Sequence, residues 1–253
     1  MPPGIGDSSE KPTKKKRSEK IIIKTVNELK CYNYTTEYGW NISKLHPDQQ
    51  QIKTDRSDLI ILPRLLDYGD YIFRFLIKMV AEPGVFTEKK FYIEITQSDL
   101  VSTIDGGTER TVGSEELLVL NAEKSHDPDS MEPGDLLDIK TCGCKLAWFC
   151  KQDGDENYEL PTNFSNLPPM PTPPPPKNIT GNNTAYVSLG GCFDYGPGQL
   201  NFTNLTKITL NTSSMISGKT YVIRVLMEKG DRRTHTDQTI TVKPGSPPTM
   251  GIE

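Results

Sequence analysis

The sequence contains the same arrangement twice: a glycine, a tyrosine that opens a long alternating segment, and then a second alternating segment. In the first copy, "GDYIFRFLIKM" is followed by "KKFYIEIT". The alternating apolar positions of the longer segment are Tyr71, Phe73, Phe75, Ile77 and Met79. Successive side chains of a β-strand point to opposite faces, so these five share one face. The pattern predicts a strand, a turn and a second strand.

The second copy reads "SGKTYVIRVLMEKG" and then "QTITVKPG". Tyr221 opens its longer strand, and Ile240 and Val242 alternate in the shorter one. A short apolar segment with one tryptophan precedes each copy, Trp40 in "YGWNIS" and Trp148 in "LAWFC". This order indicates an internal repeat of two structural units.

A tryptophan on an early strand and a tyrosine at the start of a late one are typical of an immunoglobulin-like sandwich. There the indole fills the space between two sheets, and the tyrosine hydroxyl bonds to backbone upstream. We therefore predict an all-β fold of tandem Ig/fibronectin-III-like β-sandwiches. Trp40, Tyr71, Trp148 and Tyr221 are its expected structural core residues.

The predicted organisation has three parts. Residues 1–20, rich in lysine, serine and proline, read as a disordered basic tail. The first sandwich is expected over residues 21–97 and the second over residues 98–245.

The second sandwich carries an insertion. Trp148 and Tyr221 are 73 residues apart, whereas Trp40 and Tyr71 are 31 apart. Eight of the 20 prolines lie between positions 161 and 176, which favours extended geometry over packed structure. We expect a glycosylated, proline-rich loop over about residues 153–204.

Asparagine glycosylation motifs are in excess. Eight Asn-x-Ser/Thr sequons occur where random placement of these residues gives about two. They are Asn33, Asn41, Asn163, Asn178, Asn182, Asn201, Asn204 and Asn211. The excess predicts a glycoprotein exposed to the extracellular side.

Charge and hydropathy restrict the function classes. The net charge is −4, and six of the 29 basic residues lie in the first twenty positions. The acidic remainder argues against nucleic-acid binding, although "KPTKKKR" could also serve as a nuclear address. The chain lacks a run of about 20 apolar residues and the apolar core of a signal peptide. We expect it to be a piece of a longer protein.

The five cysteines do not show the paired spacing of a structural zinc site, so disulfides are expected. Cys150, at the end of the Trp148 strand, could bridge Cys192 across the insertion. Cys142 and Cys144 look too close together to pair comfortably. An odd total leaves a partner outside the chain, or a free thiol, and the partner of Cys31 stays open.

"SHDPDS" ends a strand with Asp127, Pro128 and Asp129. Such a sequence favours a turn, since aspartate bonds to nearby backbone and proline fixes φ. The alternative is a weak calcium site at Asp127 and Asp129. We identify no catalytic residue, because no base, nucleophile or oxyanion loop accompanies these carboxylates.

Several of these segments together resemble the receptor-for-egg-jelly module of the polycystin family. The resemblance rests on "SDLVSTIDGG", "LNAEKSHDPDS", "LAWFC" and "YVIRVLMEKGDRRTHTDQTITVKPGSPP", and it covers residues 30–250. "SHDPDS" alone is shared with polycystic-kidney-disease-type Ig-like repeats.

The resemblance implies an extracellular module of a multi-pass membrane protein, on the plasma membrane or a cilium. It also implies a calcium-permeable channel complex, with mechanosensory or cell-contact roles. The expected partners are the rest of a longer membrane protein and a channel subunit, with the extracellular ligand unknown and no cofactor. The alternatives are a secreted or cell-surface adhesion module of an unrelated receptor and, less favoured, a β-sandwich enzyme.

Overall fold

The computed structural model describes residues 8–25, 35–45, 51–132, 134–155, 192–193 and 198–245. The chain divides into two compact units, Met1–Ser98 and Asp99–Glu253. In the described ranges both units consist of β-strands, with one short α-helix, α1 (Ile139–Cys142), and a 3-10 turn at Thr212–Ser214. The predicted all-β class is confirmed. None of the helices in these ranges has the length and apolar character needed to cross a membrane.

The first unit has seven described strands in two sheets. They are β1 (Thr13–Lys16), β2 (Ile21–Ile23), β3 (Thr36–Lys44), β4 (Gln51–Thr54), β5 (Leu59–Ile61), β6 (Gly69–Met79) and β7 (Phe86–Thr96). The larger sheet has the order β1-β7-β6-β3-β4, and β2 pairs with β5 in the smaller one. All pairs are antiparallel except β1 with β7, the first and last strands, which run parallel.

The core of the first unit lies between its two sheets. Trp40 on β3 is 2% exposed, and Tyr71 on β6 is fully buried. The same buried cluster includes Ile21 and Ile23 of β2 and Leu59 and Ile61 of β5. The Trp40 Nε1 donates a hydrogen bond to the Ser57 carbonyl at 3.0 Å. The Tyr71 hydroxyl is hydrogen-bonded to the backbone of Asp67, while burial raises the pKa of this phenol.

The second unit also has seven described strands. They are β8 (Glu109–Gly113), β9 (Leu117–Asn121), β10 (Lys145–Gln152), β11 (Gly198–Thr203), β12 (Lys207–Asn211), β13 (Thr220–Lys229) and β14 (Arg232–Lys243). The larger sheet has the order β11-β10-β13-β14-β8, and β12 pairs with β9. Again the first and last strands, β8 and β14, are parallel neighbours.

Trp148 and Tyr221 are fully buried at the centre of the second unit. The Trp148 Nε1 donates to the Leu205 carbonyl at 2.8 Å. The Tyr221 hydroxyl accepts the Ile216 N–H at 2.8 Å, which fixes the turn that leads into β13. Gly218 in that turn has φ +83°, and Gly69 before Tyr71 has φ +124°, so both turns use backbone conformations that favour glycine.

The two units have the same topology. Adding seven to each strand number of the first unit gives the strand order and the pairing of the second unit. The indole acceptors correspond too, since Ser57 lies two residues before β5 and Leu205 two residues before β12. The repeat seen in the sequence is therefore a repeat of the whole seven-strand pattern.

The structure corrects the prediction of a disordered tail over residues 1–20. Residues 13–16 form β1, with Thr13 opposite Ile93 and Lys16 opposite Thr96. The Lys14 Nζ lies 3.3 Å from a carboxylate oxygen of Glu94. Lysine-rich sequence favours a solvated chain, but here the edge of β7 supplies backbone partners and a carboxylate.

The insertion in the second sandwich ends earlier than predicted. Residues 198–203 form β11 and pair with β10, so they belong to the larger sheet. Residues 156–191 and 194–197, which contain the proline-rich segment, lie outside the described ranges. The boundary between the units falls after Ser98, one residue later than expected.

Replacing Tyr221 by phenylalanine should destabilise the second unit by about 1–2 kcal/mol, because the Ile216 N–H loses its acceptor in a partly buried turn. Hydrogen exchange across a denaturant series measures the free energy of unfolding of the second unit separately from that of the first. Tyr38→Phe is the control, since Tyr38 is 38% exposed. Equal stability of Tyr221→Phe and the parent would contradict a role for this bond.

Candidate functional site

The turn that ends the SHDPDS segment lies just after β9 and is held by its own side chains. The Asp127 carbonyl accepts the N–H groups of Ser130 and Met131, both at 3.0 Å. The Asp127 Oδ1 accepts the Asp129 N–H at 3.1 Å. Pro128 stands between the two aspartates, where its fixed φ suits the turn. The sequence thus forms an aspartate-centred turn.

Two cations from the β13–β14 hairpin meet this turn. Arg232 donates from Nη1 to the Asp127 Oδ1 at 2.8 Å and from Nη2 to Oδ2 at 2.9 Å. Lys229 donates from Nζ to the same Oδ2 at 2.7 Å. Asp127 is 1% exposed, so this two-point guanidinium contact is shielded from water. We call Asp127, Asp129, Lys229 and Arg232 the buried ion cluster.

Asp127 is held in its charged form. Burial by itself would raise the pKa of this carboxyl, but hydrogen bonds from Arg232 and Lys229 outweigh it and hold the pKa well below its usual range. Asp129 is also buried, and its Oδ2 lies 3.4 Å from the Arg232 Nη1. The cluster therefore joins two acidic and two basic side chains.

These contacts argue against a weak calcium site at Asp127 and Asp129. Asp127 directs both carboxylate oxygens to Arg232 and Lys229, and a buried cation would be repelled by that pair. No group of three or more His, Cys, Asp or Glu side chains that could hold a metal occurs in the described ranges. The geometry makes the cluster a link between a turn and a hairpin.

A second set of contacts fixes the segment that leads into β8. The fully buried Gln238 on β14 donates from Nε2 to the carbonyls of Asp105 and Gly107, at 3.1 and 2.6 Å. The buried Ser125 hydroxyl accepts the Thr103 N–H at 3.0 Å. The "STIDGG" segment is therefore held against both β14 and the SHDPDS turn.

The family model of the REJ domain matches residues 24–253. The chain belongs to the REJ domain family. The resemblance to the polycystin module that the sequence suggested is thereby confirmed.

Two curated relatives extend the REJ match. The chain is 24% identical over 222 residues to the polycystin family receptor for egg jelly of Mus musculus, covering 84% of the chain and 9% of that protein. It is 22% identical over 251 residues to polycystin-1 of Homo sapiens, covering 94% of the chain and 5% of that protein. The chain thus spans less than a tenth of the length of either relative.

Two solved structures that align over most of this chain share less sequence identity with it than the curated relatives do. The chicken interferon gamma receptor alpha chain aligns at a TM-score of 0.37 and 9% identity, over 91% of this chain and 95% of that one. The fibronectin(III)-like modules of Clostridium thermocellum CbhA align at 0.27 and 11%, over 96% and 92%. The sandwich architecture of this REJ chain rests on its own strand order and register.

The four cysteines of the REJ chain that lie in the described ranges form two pairs. Cys150 is bonded to Cys192, with Cα atoms 5.7 Å apart. Cys142 is bonded to Cys144, at a Cα separation of 5.1 Å. The expectation that Cys142 and Cys144 are too close to pair was wrong, because Gly143 in the left-handed conformation turns the chain between them. Cys31 lies outside the described ranges.

Three predicted glycosylation positions have described side chains. Asn41 on β3 is partly exposed and lies on the face opposite the buried Trp40. Asn204 has φ +56°, and its Oδ1 accepts the Leu146 N–H at 3.1 Å. Asn211 is exposed and caps the 3-10 turn by accepting the Ser213 N–H. Those that lie outside the described ranges are Asn33, Asn163, Asn178 and Asn182, and the side chain of Asn201.

Sequence reasoning assigned no role to Lys229, Arg232 or Gln238. Lys229 ends β13, and Arg232 and Gln238 lie on β14, but their partners lie 102 to 133 residues earlier in the chain. The sequence signal for these contacts is the charge-rich segment "EKGDRR", whose basic side chains can pair with the aspartates of SHDPDS.

Asp127→Asn should destabilise the second unit by about 3 kcal/mol, because Lys229 would lose its carboxylate partner and Arg232 its two-point contact. Hydrogen exchange of β13 and β14 should rise while that of the first unit stays unchanged. Asp231→Asn in the same hairpin is the matched control, because Asp231 is exposed. Equal exchange rates in the two variants would contradict the assignment.

The same cluster sets a pH dependence. The folded-state pKa of Asp127 is lowered, so its contribution to stability is present above the ordinary aspartate value of about 3.9 and is lost as the pH falls below it. Asp127→Asn lacks this contribution. The stability difference between parent and variant, measured by denaturant unfolding at a series of pH values, should therefore narrow below about pH 4. A constant difference would contradict this prediction.

Proposed function

We propose that the chain is a non-catalytic extracellular module of a longer, polycystin-like multi-pass membrane protein, and that it transmits tension to the rest of that protein. Membership of the REJ family and the two polycystin relatives support the placement. The excess of sequons supports an extracellular face. In this proposal the remainder of the protein, or a channel subunit, receives the force or the cell contact.

The observation that carries the proposal is the parallel pairing of the first and last strands in each unit. In the second unit, Glu109 at the start of β8 pairs with Thr239, and Gly113 at its end pairs with Lys243 near the end of β14. Tension enters β8 at its N-terminal end and leaves β14 at its C-terminal end. The two strands are then pulled along their length in opposite directions.

This geometry loads the backbone hydrogen bonds together. Ladder bonds lie across the strand direction, so pulling along the strands shears all of them at once. An antiparallel hairpin pulled apart at its open end loses its bonds one at a time. The first unit has the same arrangement, with Thr13 opposite Ile93 and Lys16 opposite Thr96. Each unit therefore opposes end-to-end tension with its terminal strands.

Single-molecule pulling on the secreted chain tests the proposal. Handles at Glu109 and Lys243 load the parallel β8–β14 pair in shear. Handles at Thr220 and Thr241 instead separate the antiparallel β13–β14 ladder from its open end, where these two residues pair. We expect a several-fold higher unfolding force in the first geometry, although β13–β14 is the longer ladder. Equal or lower force in the shear geometry would refute a load-bearing role.

The Cys150–Cys192 bond should also appear in this measurement. These cysteines are 42 positions apart, and an extended chain spans at most about 3.6 Å per residue. Reduction should therefore lengthen the unfolded second unit by roughly 150 Å. Cys192→Ser gives the same extension without reductant. An unchanged length in both would contradict the pairing.

A further inference from the structure

A groove opens on the outer face of the larger sheet of the first unit. Its volume is about 840 Å³, within the ~300–1,000 Å³ typical of small-molecule sites. Gly39 and Asn41 of β3 line it, together with Leu76 of β6. Trp40, between the first two, points into the core, so Gly39 and Asn41 share the outer face.

Gly39 contributes no side chain to this surface of β3. Gly39 pairs directly with Leu76, which is 36% exposed and forms an apolar floor. A Cβ at Gly39 would lie 2.9 Å from the Thr54 carbonyl oxygen, so a larger residue would displace neighbouring backbone. The ion pair of Lys78 with Glu37, at 2.9 Å, borders the open space.

The matching positions on the larger sheet of the second unit are buried. Beside Trp148, Ala147 pairs with Leu226 just as Gly39 pairs with Leu76. Ala147 and Leu226 are fully buried, and Phe149, which occupies the place of Asn41, is 1% exposed. In the first unit the corresponding positions are partly exposed. The place of Phe149 is taken there by Asn41, the asparagine of a sequon.

We propose that Asn41 carries an N-linked glycan whose first N-acetylglucosamine residues occupy this groove. The Asn41-Ile42-Ser43 sequon supplies the acceptor. Attachment uses an oligosaccharide linked to a lipid pyrophosphate. The Asn41 Nδ2 forms a bond to C1 of the sugar and the C1–O bond to the pyrophosphate breaks. The lipid pyrophosphate leaves with that electron pair, and the proton from Nδ2 passes to solvent.

The groove matches the chemistry of such a sugar. A pyranose ring has an apolar face, which the Leu76 side chain accommodates, and hydroxyl and acetamido groups, which the polar rim can bind. Attachment at the groove edge keeps the sugar at a high effective concentration there, so weak contacts suffice. The glycan thus covers positions of the first unit whose counterparts in the second unit are buried.

The proposal rests on the proposed function, because glycosylation requires passage through the secretory pathway. The first test is therefore site-specific occupancy in chain secreted from animal cells. Glycosidase treatment in ¹⁸O-water marks each formerly glycosylated asparagine for peptide mass spectrometry. We expect the mark at Asn41, with Asn204 and Asn211 as internal references. A mark at no sequon would overturn the extracellular placement, whereas marks at the references but not at Asn41 would overturn only the present proposal.

The second test asks whether the sugar lies in the groove. Ser43→Ala removes the sequon but keeps Asn41, and Leu76→Ser removes the apolar floor. In glycosylated protein, Ser43→Ala should lower the melting temperature of the first unit by several degrees and speed hydrogen exchange in β3 and β6. In the Leu76→Ser background the same change should have little effect.

Two controls separate the sugar from the substitution. Protein made without glycosylation should show no difference between the parent and Ser43→Ala. Ser213→Ala, which removes the Asn211 sequon, should leave the first unit unchanged. The groove assignment fails if Ser43→Ala has no effect in glycosylated protein, or if its effect persists at full size with Leu76→Ser.

Discussion

Each unit depends on a buried tryptophan whose single polar atom is satisfied across the sandwich. Trp40 and Trp148 belong to the larger sheets, and their N–H groups donate to carbonyls two residues before β5 and β12 of the smaller sheets. Leaving the buried indole N–H without an acceptor would cost about 1–3 kcal/mol. One contact therefore fills the core and also fixes the approach of the second sheet. The alternating strands around the indole pack their apolar faces against this ring.

Local periodicity was sufficient to predict the central strands. β6, β7, β13 and β14 could be predicted because alternation at period two is a property of neighbouring residues. β1 could not, because four residues rich in lysine become a strand only through the edge of β7, some eighty positions later. The buried ion cluster was missed for the same reason. Charges at a hairpin tip read as solvent-exposed until the fold brings the SHDPDS turn against them.

The two units share a strand order but secure their ends differently. In the first unit, Arg17 follows β1 and donates to the carbonyls of Arg64 and Leu66 in the loop before β6. Its guanidinium also lies 5.3 Å from the ring centre of Tyr68. In the second unit, Gln238 fixes the segment before β8, and the buried ion cluster anchors the β13–β14 hairpin. The repeat therefore lies in backbone topology and aromatic core, whereas the polar links are specific to each unit.

The buried ion cluster also determines how the second unit responds to acid. Since Arg232 and Lys229 keep the pKa of Asp127 well below its usual range, that carboxylate stays ionised at the mild acidity of secretory granules and endosomes. The bridge between the SHDPDS turn and the β13–β14 hairpin therefore persists from neutral to mildly acidic pH, so acidification in that range would not release the hairpin.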